Sequence, residues 1–319
     1  MGKVAERVER IMVVARKDWR ESVNGRFLLF QFVDRDGPLK GVLWQANDEI
    51  DREINVNDVV RIKGELKPYQ GAFELHVAAI VKLGENEYDP AQFIPASAER
   101  TDQVHAQIAG MISGVENEHL RALLAGIFTD EEFVGRFLRA PAARVWHHSY
   151  LGGLAQHVRD MALIALRVAE VYPEIDRDLL LAGVLVHDLG KVEELEITNR
   201  IDYSDPGRLI GHIVLGTALI DERIRAVADF PPDTALRLKH MILSHHGLLE
   251  HGSPVVPMTI EAILLHYIDN LDAQARGALQ VLDRDTGRFG RWTEYVKLLD
   301  RFLYRGARPH EDAGGDGSA

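Results

Sequence analysis

LLLAGVLVHDLGK, residues 179–191, sets the problem from which the fold is read. Seven of its first eight residues are aliphatic or Ala, the composition of a helix packed into a core, and His187 and Asp188 follow directly. An ionised Asp buried without a partner is costly enough that such groups are normally paired, reprotonated or bound to a metal. The partner has to come from elsewhere in the chain.

Four other segments supply residues of the right kind. His157 sits in GGLAQHVRDMALIALRVAEV, whose apolar positions recur every three to four residues, as on one face of a helix. His212 begins the helical pattern GHIVLGTALI, and His245 and His246 end MILSHHG, where Gly247 can adopt a left-handed cap. Asp269 lies in EAILLHYIDNLDAQ, one turn after His266. With no cysteine in the chain, any metal must be held by His and carboxylates. A single core His is usually a hydrogen-bonded packing residue. The ordered series H, HD, H, HH, D inside aliphatic helices is different, because each member would need its own buried partner, whereas one metal cluster satisfies them all. Neighbouring helix positions point about 100° apart, so His245 and His246 are not equivalent; His245 is the firmer ligand, and His246 reaches the site because the helix ends there.

The other residues of this region fall into place around the series. Lys191, at i+4 from His187, lies on the same helix face and is a candidate to neutralise a phosphate oxygen; the competing reading is a surface lysine at a helix end. His147 and His148 in WHHSYLGG precede a glycine pair and are candidates for substrate phosphate, equally compatible with a structural role. His266 and Asp272 are expected to stand behind the ligands, and His240 to pack off their face. His76, His105, His119, His251 and His310 carry no motif.

The chain has 319 residues, 46% of them hydrophobic, enough for a full core and for two domains. No apolar run approaches the roughly 20 residues that span a bilayer, and MGKVAERVER has no apolar export region, so a cytoplasmic protein without membrane contact is expected. A net charge of -12 argues against a simple basic duplex binder. The acidity is uneven: up to residue 95 there are 14 basic and 16 acidic residues, net -2, which leaves net -10 for the remainder.

The less acidic N-terminal part reads as short strands. RFLLFQFVDRDG places Leu28, Phe30 and Phe32 on one face and ends in the turn signal DRDG; LKGVLWQ, NDVVRIKGEL and AFELHVAAI follow, the last two separated by PYQG, with VERIMVVARK as the first strand. Five short strands in under 90 residues suggest a small antiparallel barrel. Their order and lengths resemble an OB-fold, whose outer face commonly binds single-stranded oligonucleotides. Phe27, Phe30, Phe32 and Trp44 read mostly as barrel core. On the outward face Trp44, Tyr69 and Phe73 are candidates for base stacking, and Arg61, Lys63 and Lys67 for phosphates. GENEYDPAQFIPASAER reads as a linker; from residue 101 to about 305 the pattern is helical with no return of strands, and the small, polar tail reads as disordered.

The series from His157 through HDLGK and SHHG to IDN resembles an HD-domain metal-dependent phosphohydrolase. The details HHSYLGGLAQH, VHDLGKVEE, GHIVLG, LSHHGLLEHGSPVVP and EAILLHYIDNLDA, behind an OB-like domain, resemble the YhaM-type 3′→5′ exoribonucleases over nearly the whole chain. One departure is GGLAQH, where Ala155 and Gln156 stand in place of Leu and Glu. The expected architecture is multidomain: an all-β OB-like barrel over 1–90, a linker and bridging helices over 91–140, an all-α HD-domain bundle over 141–305 and a disordered tail over 306–319.

The resemblance also completes the ligand set. It implies His157, His187, Asp188 and Asp269 around one metal, and Asp188, His212, His245 and His246 around a second, with Asp188 as the bridge. An imidazole-rich set without sulfur favours two divalent ions, Mn²⁺ first and Co²⁺, Fe²⁺, Mg²⁺ or Zn²⁺ after it. Two such ions about 3.5–4 Å apart activate water against a phosphodiester and stabilise the leaving oxygen. The expected partner is single-stranded RNA or DNA, degraded from the 3′ end to nucleoside 5′-monophosphates, and the helical surface is compatible with a homo-oligomer. The rivals are an HD phosphodiesterase acting on a small or cyclic nucleotide, and a non-catalytic single-strand-binding protein.

Overall fold

A computed structural model describes residues 6–23, 25–34, 37–69, 72–89, 92–284 and 290–306. The chain forms two compact units: residues up to Ala96 together with Glu196–Asp202, and Ser97–Leu195 together with the chain from Tyr203 onward. In the first unit, β1 (Glu6–Ser22), β2 (Gly25–Asp34), β3 (Gly37–Leu43), β4 (Val59–Tyr69) and β5 (Ala72–Lys82) close into a barrel in the order β1-β2-β3-β5-β4. The β3–β5 pairing is parallel and the others are antiparallel.

The predicted alternation holds for the inward face, where Leu28, Phe30 and Phe32 join Met12, Ile62 and Leu75 in the barrel core. The first strand is not short. Its 17 residues pair with β4 up to Val13 and with β2 from Val13 onward, and a bulge between Val14 and Arg16 turns it between the two partners. Closing so few strands into a barrel requires such a bend. A short helix the sequence reading did not include, α1 (Asp48–Glu53), precedes β4 and is capped by the Asn47 side chain on Ile50 N at 2.9 Å. Parts of both predicted turns, Arg35, Asp36, Gln70 and Gly71, lie outside the described residues, as does the tail beyond Gly306 with His310.

The second unit is helical. Its helices are α2 (Thr101–Ser113), α3 (Glu118–Phe128), α4 (Glu131–Phe137), α5 (Gly153–Val171), α6 (Arg177–Val186), α7 (Lys191–Glu194), α8 (Asp205–Leu209), α9 (His212–Arg225), α10 (Pro232–Ser244) and α11 (Ile260–Arg284). Ile108, Leu120, Leu124 and Phe137 from α2–α4 share one continuous core with Val158, Leu185, Ile220, Ile242 and Leu265. The decisive stretch behaves as its composition dictates: Asp176 caps α6 by accepting from Leu179 N at 2.9 Å, and every residue from Leu179 to Val186 is buried.

Two expectations for this region need correction. Strands do return: β6 (Leu195–Ile197) and β7 (Ile201–Tyr203) pair across the Asn199–Arg200 turn, where LEITNRIDY alternates over a span too short to read as a pattern. The described chain from 290 to 306 is not helical either; it folds on itself through isolated bridges from Trp292 to Tyr304 and from Val296 to Arg301.

Candidate metal centre and nucleic-acid face

Five segments of the helical unit deliver the His/Asp series to one place. His157 comes from the buried first turns of α5, which starts within the glycine pair: Gly152 is its N-cap at φ +79°, and a Cβ on Gly153, its first residue, would collide with the His148 carbonyl. His187 and Asp188 lie just past α6 rather than on it, with His187 as the C-cap residue. His212 opens α9, His245 is the C-cap residue of α10, and Asp269 projects from α11. Gly247 takes the expected positive φ, +81°.

The geometry around Asp188 is specific. Its Oδ2 lies 3.6 Å from His157 Nε2 and 3.3 Å from His187 Nε2, while its Oδ1 lies 3.5 Å from both His212 Nε2 and His245 Nε2. One carboxylate thus divides four imidazoles two and two. Asp269 Oδ1 adds itself to the first pair, 3.3 Å from His157 Nε2, and the His246 ring adds itself to the second, 5.2 Å from His212 and 4.3 Å from His245. Within His157–His187–Asp269, and again within His212–His245–His246, the donor atoms of each trio lie within 4.8 Å of one another.

Each ring is also oriented from behind. His157 donates Nδ1–H to Asp272 at 2.7 Å and His212 to Glu194 at 2.8 Å, while His187 and His245 donate to the carbonyls of Val184 and Ile242 at 2.8 and 2.7 Å. The acceptor carbonyls belong to the last turns of α6 and α10, where helices leave such groups unpaired. With Nδ1 engaged, Nε2 of all four rings faces the centre. These four Nε2 atoms and Asp188 Oδ1 are buried with no hydrogen-bond partner among the described residues. Buried polar atoms are nearly always satisfied. Five orphans converging on one point, all of them nitrogen or oxygen donors suited to a divalent cation, fit a metal site.

The electrostatics agree. Burial opposes ionisation of Asp188 and Asp269, but the Lys191 ammonium beside Asp188 and the imidazoles around both hold them well below the usual carboxylate range. Lys191 Nζ lies 2.6 Å from Asp188 Oδ2 and is largely buried, so it is not a surface lysine. Against the burial that would lower it, His157 is raised to about 9 by Asp269, Asp272 and Asp188. Burial pushes His147 down to about 3 and His246 down to about 4.

The residues expected behind the His/Asp series sort themselves out. Asp272 stands behind His157 as expected, and His266 donates to the His245 carbonyl at 2.9 Å. His148 is placed otherwise than expected for a substrate group. It is 2% exposed, donates Nε2–H to Asp272 at 2.9 Å and pairs through Nδ1 with the Tyr150 hydroxyl at 2.7 Å, so both nitrogens are engaged. His147 is half-buried, its ring 5.3 Å from that of His157. The sequence departure is absorbed: Ala155 is in the core, and Gln156 is bonded to Tyr150 and Glu99. Sequence reasoning missed Glu194, although it stands inside the quoted VHDLGKVEE.

On the barrel, outward parity gathers a second set. Trp44 is 44% exposed and its ring lies 4.6 Å from half-buried Phe27 and 6.5 Å from His76, so neither Trp44 nor Phe27 is core. Lys63 lines the same groove as Trp44 and pairs with Glu9 at 3.1 Å. Tyr69 and Phe73 are exposed, with the Lys40 ammonium 4.7 Å over the Tyr69 ring, and Lys67 is exposed beside them on β4. Arg61 is half-buried further along β4, opposite Ile11 and Val81.

Residues 154–274 match the HD domain family, and residues 10–83 match the family described as OB-fold nucleic acid binding domain. The chain joins an OB-fold domain to an HD domain. This order of domains fits the YhaM-type layout that the motifs resemble. Among solved structures, the chain is similar to a replication protein A heterotrimer bound to ssDNA at 21% identity, over 25% of this chain and 61% of that one, with a TM-score of 0.22. The small single-stranded DNA-binding protein from Streptomyces coelicolor matches at 16% identity, over 27% of this chain and all of that one, with a TM-score of 0.23. The chain thus spans 61% of the replication protein A chain. No helix among the described residues is long and apolar enough to cross a membrane.

Proposed function

We propose that the protein is a metal-dependent 3′→5′ exoribonuclease that hydrolyses single-stranded RNA, and single-stranded DNA by the same chemistry, to nucleoside 5′-monophosphates. The observation that supports this best is the division of four partnerless imidazole nitrogens between the two oxygens of Asp188. In this reading His157, His187, Asp188 and Asp269 hold one divalent cation, and Asp188, His212, His245 and His246 hold another, with Mn²⁺ the first choice for an imidazole-rich set. When bound, such a pair supplies Lewis-acid charge and an activated water for phosphodiester hydrolysis.

The chain's own groups do the rest. Asp272, Glu194 and the two helix-end carbonyls fix the imidazole tautomers, so that a lone pair faces each cation. Lys191, 12% exposed at its side chain, stands where it can neutralise a non-bridging phosphate oxygen with little competition from water. The barrel holds the single strand through Trp44, Tyr69 and Phe73 on its bases and Lys63 and Lys67 on its phosphates.

The test is incubation of the full-length protein, with Mn²⁺ or with EDTA, on a 5′-labelled single-stranded RNA read on a denaturing gel, beside a cyclic dinucleotide read by chromatography. The expected result is a metal-dependent ladder shortening from the 3′ end. Intact RNA with a cleaved dinucleotide would replace this reading by a small-nucleotide phosphodiesterase, and hydrolysis of neither would end both.

A further inference from the structure

We propose that Gln156, Tyr150 and His148 are positioning residues for His157: a chain of hydrogen bonds from Ser97 and Glu99, at the start of the helical unit, sets the carboxylate that orients this imidazole. This rests on the metal-binding reading above and adds a control on one side of Asp188. The last link is shared, because Asp272 Oδ2 receives Nδ1–H of His157 at 2.7 Å and Nε2–H of His148 at 2.9 Å. His148 thus helps to decide where that oxygen stands, and the oxygen decides how the His157 ring is turned. His148 Nδ1 lies 2.7 Å from the Tyr150 hydroxyl, which donates to Gln156 Oε1 at 2.6 Å. Burial pushes that hydroxyl up to about 12, so it keeps the proton that it donates. Ser97 Oγ donates to the same Gln156 oxygen at 3.1 Å, and Gln156 Nε2 donates to Glu99 Oε1 at 3.1 Å.

The chain of bonds is built onto the turn that starts α5. Ser97 N donates to the Leu151 carbonyl at 2.9 Å, and a Cβ on Gly152 would meet Thr101 Cγ2 at 2.8 Å, so residues 97–101 lie directly against the glycine pair. His148 and Gln156 are buried, which shields the middle of the chain from competition with water. Its far end is anchored at both oxygens of Glu99: Oε1 receives from Gln156, and Oε2 receives from buried Arg159 at 2.7 Å. The other side of Asp188 is built differently. There Glu194 Oε1 takes two bonds from His212 itself, at Nδ1 and at the backbone N, and His245 turns to the carbonyl of its own helix.

The amide at position 156 is what lets the chain close. An amide offers a donor end and an acceptor end, whereas an ionised carboxylate only accepts. The motif GGLAQH carries Gln156 where the family it resembles carries Glu. A carboxylate there would still accept from Tyr150 and Ser97, but it would face the Glu99 carboxylate with no proton between them, a like-charge contact at a buried position. Gln156 and Glu99 are therefore a matched pair. Exchanging the two side chains keeps one donor facing one acceptor and leaves an oxygen at position 99 for Arg159.

The experiment compares full-length wild type with Tyr150→Phe, Gln156→Glu and the double variant Gln156→Glu/Glu99→Gln. Mn²⁺ affinity is measured by competition with a chelator and fitted as two sites. In the metal-free proteins, labelled with ¹⁵N-histidine, NMR reads the exchange of the His157 Nδ1 proton with water, and thermal unfolding checks the fold. Tyr150→Phe is expected to weaken one site about twofold to tenfold, the loss of one hydrogen bond, to leave the other within about twofold, and to speed exchange of the His157 proton. Gln156→Glu does the same, and adding Glu99→Gln returns both readings close to wild type. Unchanged affinities with unchanged exchange, equal losses at both sites, or a double variant no better than Gln156→Glu would overturn the positioning role and leave the two-metal centre standing. A wild type that binds no Mn²⁺ would overturn the centre and the positioning role with it.

Discussion

Glu194 gives the sharpest handle on the centre, because one oxygen holds His212 at two atoms. Glu194 Oε1 accepts from His212 Nδ1 at 2.8 Å and from His212 N at 3.0 Å, fixing both the ring and the first residue of α9. Glu194→Ala removes both acceptors at an 8% exposed position and leaves His212 free to rotate or change tautomer. A hydrogen bond to a charged group contributes about 1.5–3 kcal/mol. At about 1.4 kcal/mol per decade that is a loss of roughly tenfold to a hundredfold in metal affinity, the range typical of residues that orient a ligating histidine. The loss should be confined to one of two sites, the one built from His212, His245 and His246. Glu194→Gln keeps an acceptor at Oε1 and should lose about tenfold or less. Competition of metal-loaded protein against a chromophoric chelator, fitted as two sites, reads both numbers, and thermal unfolding of the metal-free variants checks that the fold is kept. Two unchanged affinities in Glu194→Ala, within about twofold, would refute the assignment, and equal loss at both sites would refute the two-and-two division around Asp188.

Three further outcomes follow from the same geometry. Asp188→Asn removes the charge shared by both ligand sets, so the bound metal should fall from two ions to at most one and turnover by about 10³-fold or more; a fully active variant carrying two metals would remove the carboxylate from its bridging place. Metal-free His157 keeps its second proton up to about 9, because Asp269, Asp272 and Asp188 outweigh the burial that would lower it. That proton stabilises the metal-free fold below about pH 6.5 and is lost as pH rises through about 9. It also competes with a metal for Nε2, so affinity should rise with pH across this window and calorimetry near pH 7.5 should show proton release; a flat affinity with no buffer dependence contradicts it. On the barrel, Trp44→Ala should weaken single-strand binding by about 1–3 kcal/mol, the loss of one stacking platform, and unchanged anisotropy titrations would take Trp44 out of the interface.

The His/Asp series was legible because titratable residues stand out in helices that are otherwise aliphatic. What orients them was not. Glu193 and Glu194 are neighbours in one charged run, yet Glu193 is exposed and pairs with Arg136 at 2.5 Å while Glu194 holds His212. Nothing local in the sequence separates the two, since the difference is made by where α9 returns. The carbonyls of Val184 and Ile242 carry no side-chain signal at all. In the barrel, period-two alternation fixed the core correctly and already contained the correction for Phe27, which has the opposite parity to Leu28, Phe30 and Phe32. Grouping it by hydrophobicity with Phe30 and Phe32 ignored that parity. His148, just before a glycine pair, was compatible with a substrate role and with a structural one; only the fold reveals that Asp272, 124 residues away, occupies its Nε2.

The manner in which the imidazoles are oriented gives the opening sequence a physical answer. His187 and His245 are C-cap residues, and each turns back to donate Nδ1–H to the carbonyl three residues before it. A helix end must satisfy its last carbonyls with something. Here the cap itself aims Nε2 at the neighbouring Asp188, so a long apolar helix such as α6 can run fully buried to its end and still finish on a polar centre. His157 and His212 lie near helix starts, where no such carbonyls are offered, and their orienting groups are the carboxylates of Asp272 and Glu194. Each side of Asp188 therefore receives one imidazole set by a carbonyl and one set by a carboxylate: His187 with His157, and His245 with His212. An anionic partner behind the ring makes the ligand more basic. The two sides are matched in donor strength and differ in their third member, Asp269 on one side and His246 on the other. The side with Asp269 offers an anionic oxygen donor where the other offers the half-buried His246 imidazole, so in a stepwise titration it is the side expected to fill first with a hard cation, and His246, reaching in from beyond α10, belongs to the side that fills second. Asp269→Asn should then reverse or merge the two steps, and an unchanged order of filling would show that the carboxylate donor does not govern it.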